Sequence, residues 1–178
     1  MRRYYLLGTS LLLTLLCTAL APGAARGREA DAARDPEQAR AVADLRNVGT
    51  AMMSWLTDQV SGDMAPVDLA EGEGAPLEVA GKEGEEPASY TPITYARLQA
   101  LLQPHYIQVI PERDPWGYPY EFFLNRNLLG ANVLAIRSAG GDGEFATGPY
   151  AVGGFDADDL DQDIVWVDGY FVRWPEAR

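Results

Sequence analysis

Asp156, Asp158, Asp159, Asp161 and Asp163 set five carboxylates within eight residues, and Asp142 and Glu144 lie a short way upstream. Carboxylates at this density repel one another unless something positive neutralises them. No Lys or Arg occurs from Ser138 to Gly169, so the segment carries no cation of its own. Calcium is the economical counter-charge, because it takes about six to eight oxygen ligands and accepts irregular loops of carboxylates and carbonyls. The helix–loop–helix calcium motif does not fit. With Asp159 as first ligand, Asp161 and Asp163 fill the third and fifth places, but Ile164 stands where glycine is needed and Tyr170 where glutamate should close the site. A calcium site here is therefore a loop of another kind, and the alternative is a solvated acidic loop without an ion.

Catalysis has weaker candidates. His105, the single imidazole, follows the helix-breaking Pro104 in an apolar stretch, a setting typical of a surface histidine rather than a general base. Paired aspartates can hydrolyse glycosides, but these crowd one loop instead of flanking a cleft. The expectation is a protein that is not an enzyme.

The acidic loop needs elements to hold it. Asp35 before Pro36, with Gln38 three residues on, forms a capping-box start. Val42, Leu45, Val48 or Gly49, Met52 and Leu56 then recur at helical spacing, so a helix of about 24 residues is predicted to end near Gly62 with this stripe packed on a sheet. Residues 62–89 hold eight acids, one Lys, five Gly and three Pro, and read as a mobile acidic loop. The segment from Ile93 to Leu102, ahead of Pro104, predicts a short second helix. Asp114 to Tyr120 reads as a turn entering a strand in which Tyr118, Tyr120, Phe122 and Leu124 share one face. A further strand is predicted over Asn132–Arg137. Ile164–Val167 and Tyr170–Trp174 form a hairpin across Asp168–Gly169. A long helix followed by a small antiparallel β-sheet is an α+β layout.

A chain of 178 residues predicts one domain, and its 47% apolar content is enough for a core. Its 26 acids against 14 bases, 13 of them Arg, give a net charge of −12, which argues against nucleic acid as a partner. Arg2 and Arg3 precede an uncharged run from Leu6 to Leu16 and a small-residue stretch ending near Ala25, the layout of an export signal over residues 1–25. Membrane contact is expected only if that segment stays uncleaved. Removing it leaves 12 bases, 26 acids and no cysteine, which excludes disulfides, a thiol nucleophile and cysteine-ligated metals. Residues 26–34 read as a tether, and 35–178 as the globular domain.

Three motifs together carry a resemblance. Asp114–Pro115–Trp116–Gly117–Tyr118–Pro119–Tyr120, then Ser138–Ala139–Gly140–Gly141–Asp142–Gly143, then Asp163–Ile164–Val165–Trp166 resemble the C-terminal domain of the major pseudopilins of type II secretion systems, the G proteins. Leu98, Leu101, Leu102, Pro104, Tyr106 and Ile107 extend the similarity upstream. The resemblance implies a pilin-like fold, a calcium-stabilised late loop, and secretion components such as other pseudopilins as partners in the periplasm or outside the cell. It implies Asp142 and the carbonyl of Ala139 as ligands, joined by Asp161 and Asp163, with Asp158 and Asp159 as rivals across the inserted stretch from Phe145 to Asp159. The N-terminus departs from the family. Gly8 is followed by Thr9–Ser10–Leu11, and Leu13 stands where the family has glutamate, which points to an accessory or diverged component. A free secreted calcium-binding or adhesion module is the alternative, differing only in partners.

Overall fold

The computed structural model describes residues 35–62, 75–81 and 86–176, so the expected signal and tether lie outside the described residues. Helix α1 (Pro36–Ser61) starts on Asp35, whose Oδ1 accepts the N–H groups of Glu37 at 2.8 Å and Gln38 at 3.1 Å. Gly62, at φ 81°, ends it in the left-handed conformation that glycine adopts without strain. The reciprocal half of the capping box is not made: Gln38 is buried and its Oε1 has no partner among the described residues. Val42, Leu45, Val48, Met52 and Trp55 form the buried stripe, so Met52 and Trp55 are core residues.

Six strands form the main sheet in the order β3 (Pro92–Ile93), β4 (Glu121–Leu124), β5 (Leu134–Ser138), β7 (Ile164–Val167), β8 (Tyr170–Glu176), β6 (Gly153–Asp156). All neighbours are antiparallel except β6 and β8, so the α+β class stands while the purely antiparallel sheet is corrected to a mixed one. The parallel pair arises because the chain runs through β6 on the outer edge before it builds the β7–β8 hairpin inside it. Asp168 (φ 40°) and Gly169 (φ 103°) give the hairpin two left-handed central residues, as a primed turn requires. Helix α2 (Tyr95–Leu102), capped by Thr94, joins α1 on one face of the sheet and buries Leu98 and Leu102.

The opposite face is also covered, which corrects the reading of residues 62–89 as loop throughout. Within it β1 (Leu77–Val79) and β2 (Ala88–Tyr90) pair antiparallel. Leu77, Val79 and Tyr90 pack with Phe123, Ala135, Val165, Val167, Val172 and Tyr150 into a second core. Alternation along the strands serves both layers: Phe122, Leu124, Leu134, Ile136, Ile164 and Trp166 face the helices, and the residues between them face the hairpin.

Candidate functional site

Strand β5 ends at Ser138, and the chain turns there through Gly140 (φ 69°) and Gly143 (φ 73°). A Cβ on Gly140 would fall 2.8 Å from the carbonyl oxygens of both Leu160 and Gln162, so the close approach of the two loops needs glycine. Gly141 N–H donates to the Leu160 carbonyl at 2.7 Å and sews them together. The turn at Asp114 supports the same loop from beneath. Its buried carboxylate accepts Tyr118 N–H at 2.9 Å on Oδ1 and the Ser138 hydroxyl at 2.7 Å on Oδ2, while the Tyr118 ring occupies the space a side chain on Gly143 would need. Two of the sequence motifs are thus one packed unit.

Where the loops meet, an open cleft of about 340 Å³ is lined by Asp142, Glu144, Phe145, Ala146, Thr147, Asp161, Gln162 and Asp163. Asp142 and Glu144 come from one loop and Asp161 to Asp163 from the other, and all three of Asp142, Glu144 and Asp161 are exposed. The Asp161 carboxylate lies against Gly141, 3.2 Å from where a Cβ would stand. Asp163 is 5% exposed, and its Oδ2 accepts the Tyr150 hydroxyl at 2.5 Å and Ala146 N–H at 2.9 Å. Burial raises the Asp163 carboxyl above the usual range and the Asp142 charge adds to this, while Tyr150, Ala146 N–H and Arg137 act in the opposite direction.

Arg137 is the cation that sequence reasoning passed over. It stands one residue before the stretch free of Lys and Arg. Its guanidinium donates to Glu121 Oε2 and, at 3.1 Å, to the Tyr150 hydroxyl, and lies 4.0 Å from the Phe145 ring centroid. Arg137, Tyr150 and Asp163 therefore form a buried relay in which the phenol carries Arg137's field to the carboxylate. Arg173 supports the cleft from the other side by donating to Gln162 Oε1 at 3.0 Å. Alternation in β5 puts Arg137 on the face away from the helices, the signal that pointed to it.

The structure brings Asp142, Asp161 and Asp163 around one cleft and leaves Ala139, Asp158 and Asp159 outside its lining. Asp159 turns its carboxylate back onto its own loop, accepting Asp161 N–H at 3.3 Å and the Gln162 amide at 3.0 Å. Asp158 N–H donates to Asp156 Oδ1 at 3.2 Å. Ala139 is buried where the glycine turn begins. His105 is exposed after α2 and does not line the cleft. The donor set is all oxygen and suits a hard cation, although among the described residues no three carboxylates converge on one point. Asp142 and Asp161 sit at the surface, whereas Asp163 is buried.

No family model, no curated protein and no solved structure matches the chain.

Proposed function

We propose that this chain is an exported, non-catalytic structural domain of the pseudopilin type that holds calcium between the 139–147 loop and Asp161–Asp163. One observation carries the reading: oxygen donors from two loops about twenty residues apart in sequence line a single open cleft whose lining contains no Lys or Arg. Asp142 and Asp161 would supply the exposed carboxylates and Asp163 the floor, whereas Ala139 lies outside the lining and is not assigned as a ligand. Bound calcium would join the two loops that Gly141 N–H already connects. The packing of α1 over β5 and β7 agrees with a pilin-like arrangement of helix on sheet.

Calorimetric titration of the purified protein with calcium tests the site. Saturable binding is expected, with Asp142→Ala and Asp161→Ala each abolishing it or weakening it at least about tenfold, since each removes a charged ligand. Undisturbed binding in both variants would refute the assignment. Affinity capture tests the proposed partners: recovery of pseudopilins or other secretion components supports the machinery role, and their absence from the captured set supports the free secreted module.

A further inference from the structure

The chain contains two Asp–Gly pairs, Asp142–Gly143 and Asp168–Gly169, and the fold treats their carboxyl groups oppositely. In such a pair the glycine nitrogen lies one ring-closing bond from the aspartate Cγ, and the glycine has no side chain to obstruct the approach. Asp168 is pinned away from that reaction. Its Oδ2 accepts the Tyr90 hydroxyl at 2.8 Å, and its Oδ1 accepts Leu134 N–H at 2.8 Å and Val133 N–H at 3.1 Å, which draws the group across to β5. Asp142 is exposed, and the one hydrogen bond its carboxylate makes among the described residues comes from Glu144 N–H, at 3.0 Å on Oδ1. That bond curls the side chain toward the C-terminal side of its own residue, where the Gly143 nitrogen stands.

We propose that Asp142–Gly143 is a site of covalent self-modification, at which the aspartate converts to isoaspartate through a succinimide, while Asp168–Gly169 is held against the same change. The Gly143 nitrogen bonds to Asp142 Cγ, and the hydroxyl of the protonated carboxyl leaves as water with the proton of that nitrogen. Water, the only co-reactant, then adds to one of the two ring carbonyls and breaks its bond to nitrogen. Addition at Cγ restores aspartate. Addition at the main-chain carbonyl leaves the backbone running through Cβ and Cγ, one methylene longer, with the former main-chain carbonyl as the free carboxylate. Mass is unchanged, nothing is oxidised or reduced, and no bound ion takes part in either step. The added methylene falls where the loop has no slack: the Tyr118 ring covers Gly143, and Gly141 N–H holds the Leu160 carbonyl at 2.7 Å. Modification therefore loosens the unit that the Asp114 turn and the glycine loop form together.

The test is prolonged incubation of the full chain in warm buffer with chelator, read by peptide mapping and by methyl transfer from S-adenosylmethionine with an isoaspartyl methyltransferase. Isoaspartate is expected to accumulate at 142 at least about tenfold faster than at 168, because Asp168 must first give up three hydrogen bonds. In denaturant the two sites should react at similar rates, since only the fold sets them apart. Asp142→Glu, a change at an exposed position that lengthens the closing ring to six members, should abolish methyl acceptance by the folded chain. Equal accumulation at 142 and 168 in the folded chain would overturn the proposal. So would the absence of isoaspartate at 142 while the denatured chain reacts, or methyl acceptance that persists in folded Asp142→Glu.

Discussion

Among the described residues, four tyrosine hydroxyls donate to aspartates: Tyr106 to Asp58 and Tyr90 to Asp168 at 2.8 Å, Tyr120 to Asp44 at 3.2 Å, and Tyr150 to Asp163 at 2.5 Å. In a chain with 26 acids and 14 bases the phenol is an available donor, and it brings apolar bulk with it. Tyr120 and Tyr106 fasten α1, whereas Tyr90 and Tyr150 fasten the hairpin layer. Tyr150→Phe is expected to cost about 2 kcal/mol in urea denaturation, because it strips a hydrogen bond from a buried carboxylate and from Arg137 together. Burial first, and the neighbouring aspartates second, raise Tyr90 and Tyr120 above the ordinary phenol range. Burial also leads at Tyr150, with its hydrogen bond to Asp163 next. The unfolded chain gives up these protons near pH 10, before the folded chain does, so the folded state holds more protons above that pH. The stabilisation they confer is complete below pH 10 and falls as pH rises through the folded values. Thermal midpoints measured from pH 8 to 12 should therefore decline above pH 10, and the decline should be shallower in Tyr90→Phe. Asp44 and Asp163, raised by burial, favour the folded state below about pH 4 and lose that contribution as pH rises through their folded values.

Helix α1 approaches the sheet closely because Gly49 has no side chain: a Cβ there would lie 2.6 Å from the Trp166 ring. Gly49→Ala is expected to destabilise by about 1–3 kcal/mol despite alanine's better helix propensity, since overpacking outweighs that gain. Trp166→Phe in the same chain should recover part of the loss, so the pair is less than additive by chemical denaturation. Full additivity would place the clash elsewhere. The cap, the stripe and the Asp168–Gly169 turn were legible because each depends on local chemistry. The hairpin was not, because its strands are three residues long and lie among glycines and acids that oppose β-structure. A signal for it did exist. Ile164–Val167 is apolar at every position, and all four residues are buried, the mark of a strand covered on both faces. The cleft was half legible: the glycines and Asp142 fixed one wall, but the Arg137–Tyr150–Asp163 relay joins positions whose proximity only the fold creates.

The whole molecule is a sheet with two covers, carrying a charge of −12 and gathering two acidic loops at one end. Monovalent salt weakens the general repulsion, with a screening length of about 8 Å at physiological ionic strength, but it cannot bridge specific carboxylates. The thermal midpoint of the full chain in calcium, set against chelator with sodium chloride at matched ionic strength, tests the proposed calcium site most directly. With calcium about 100-fold above its dissociation constant, mass action adds about 2.7 kcal/mol, which for a chain of this size raises the midpoint by about 5–10 °C. Asp142→Ala should show no such rise. Equal midpoints in calcium and in chelator, or the same rise in Asp142→Ala, would contradict the claim that a divalent ion occupies the cleft.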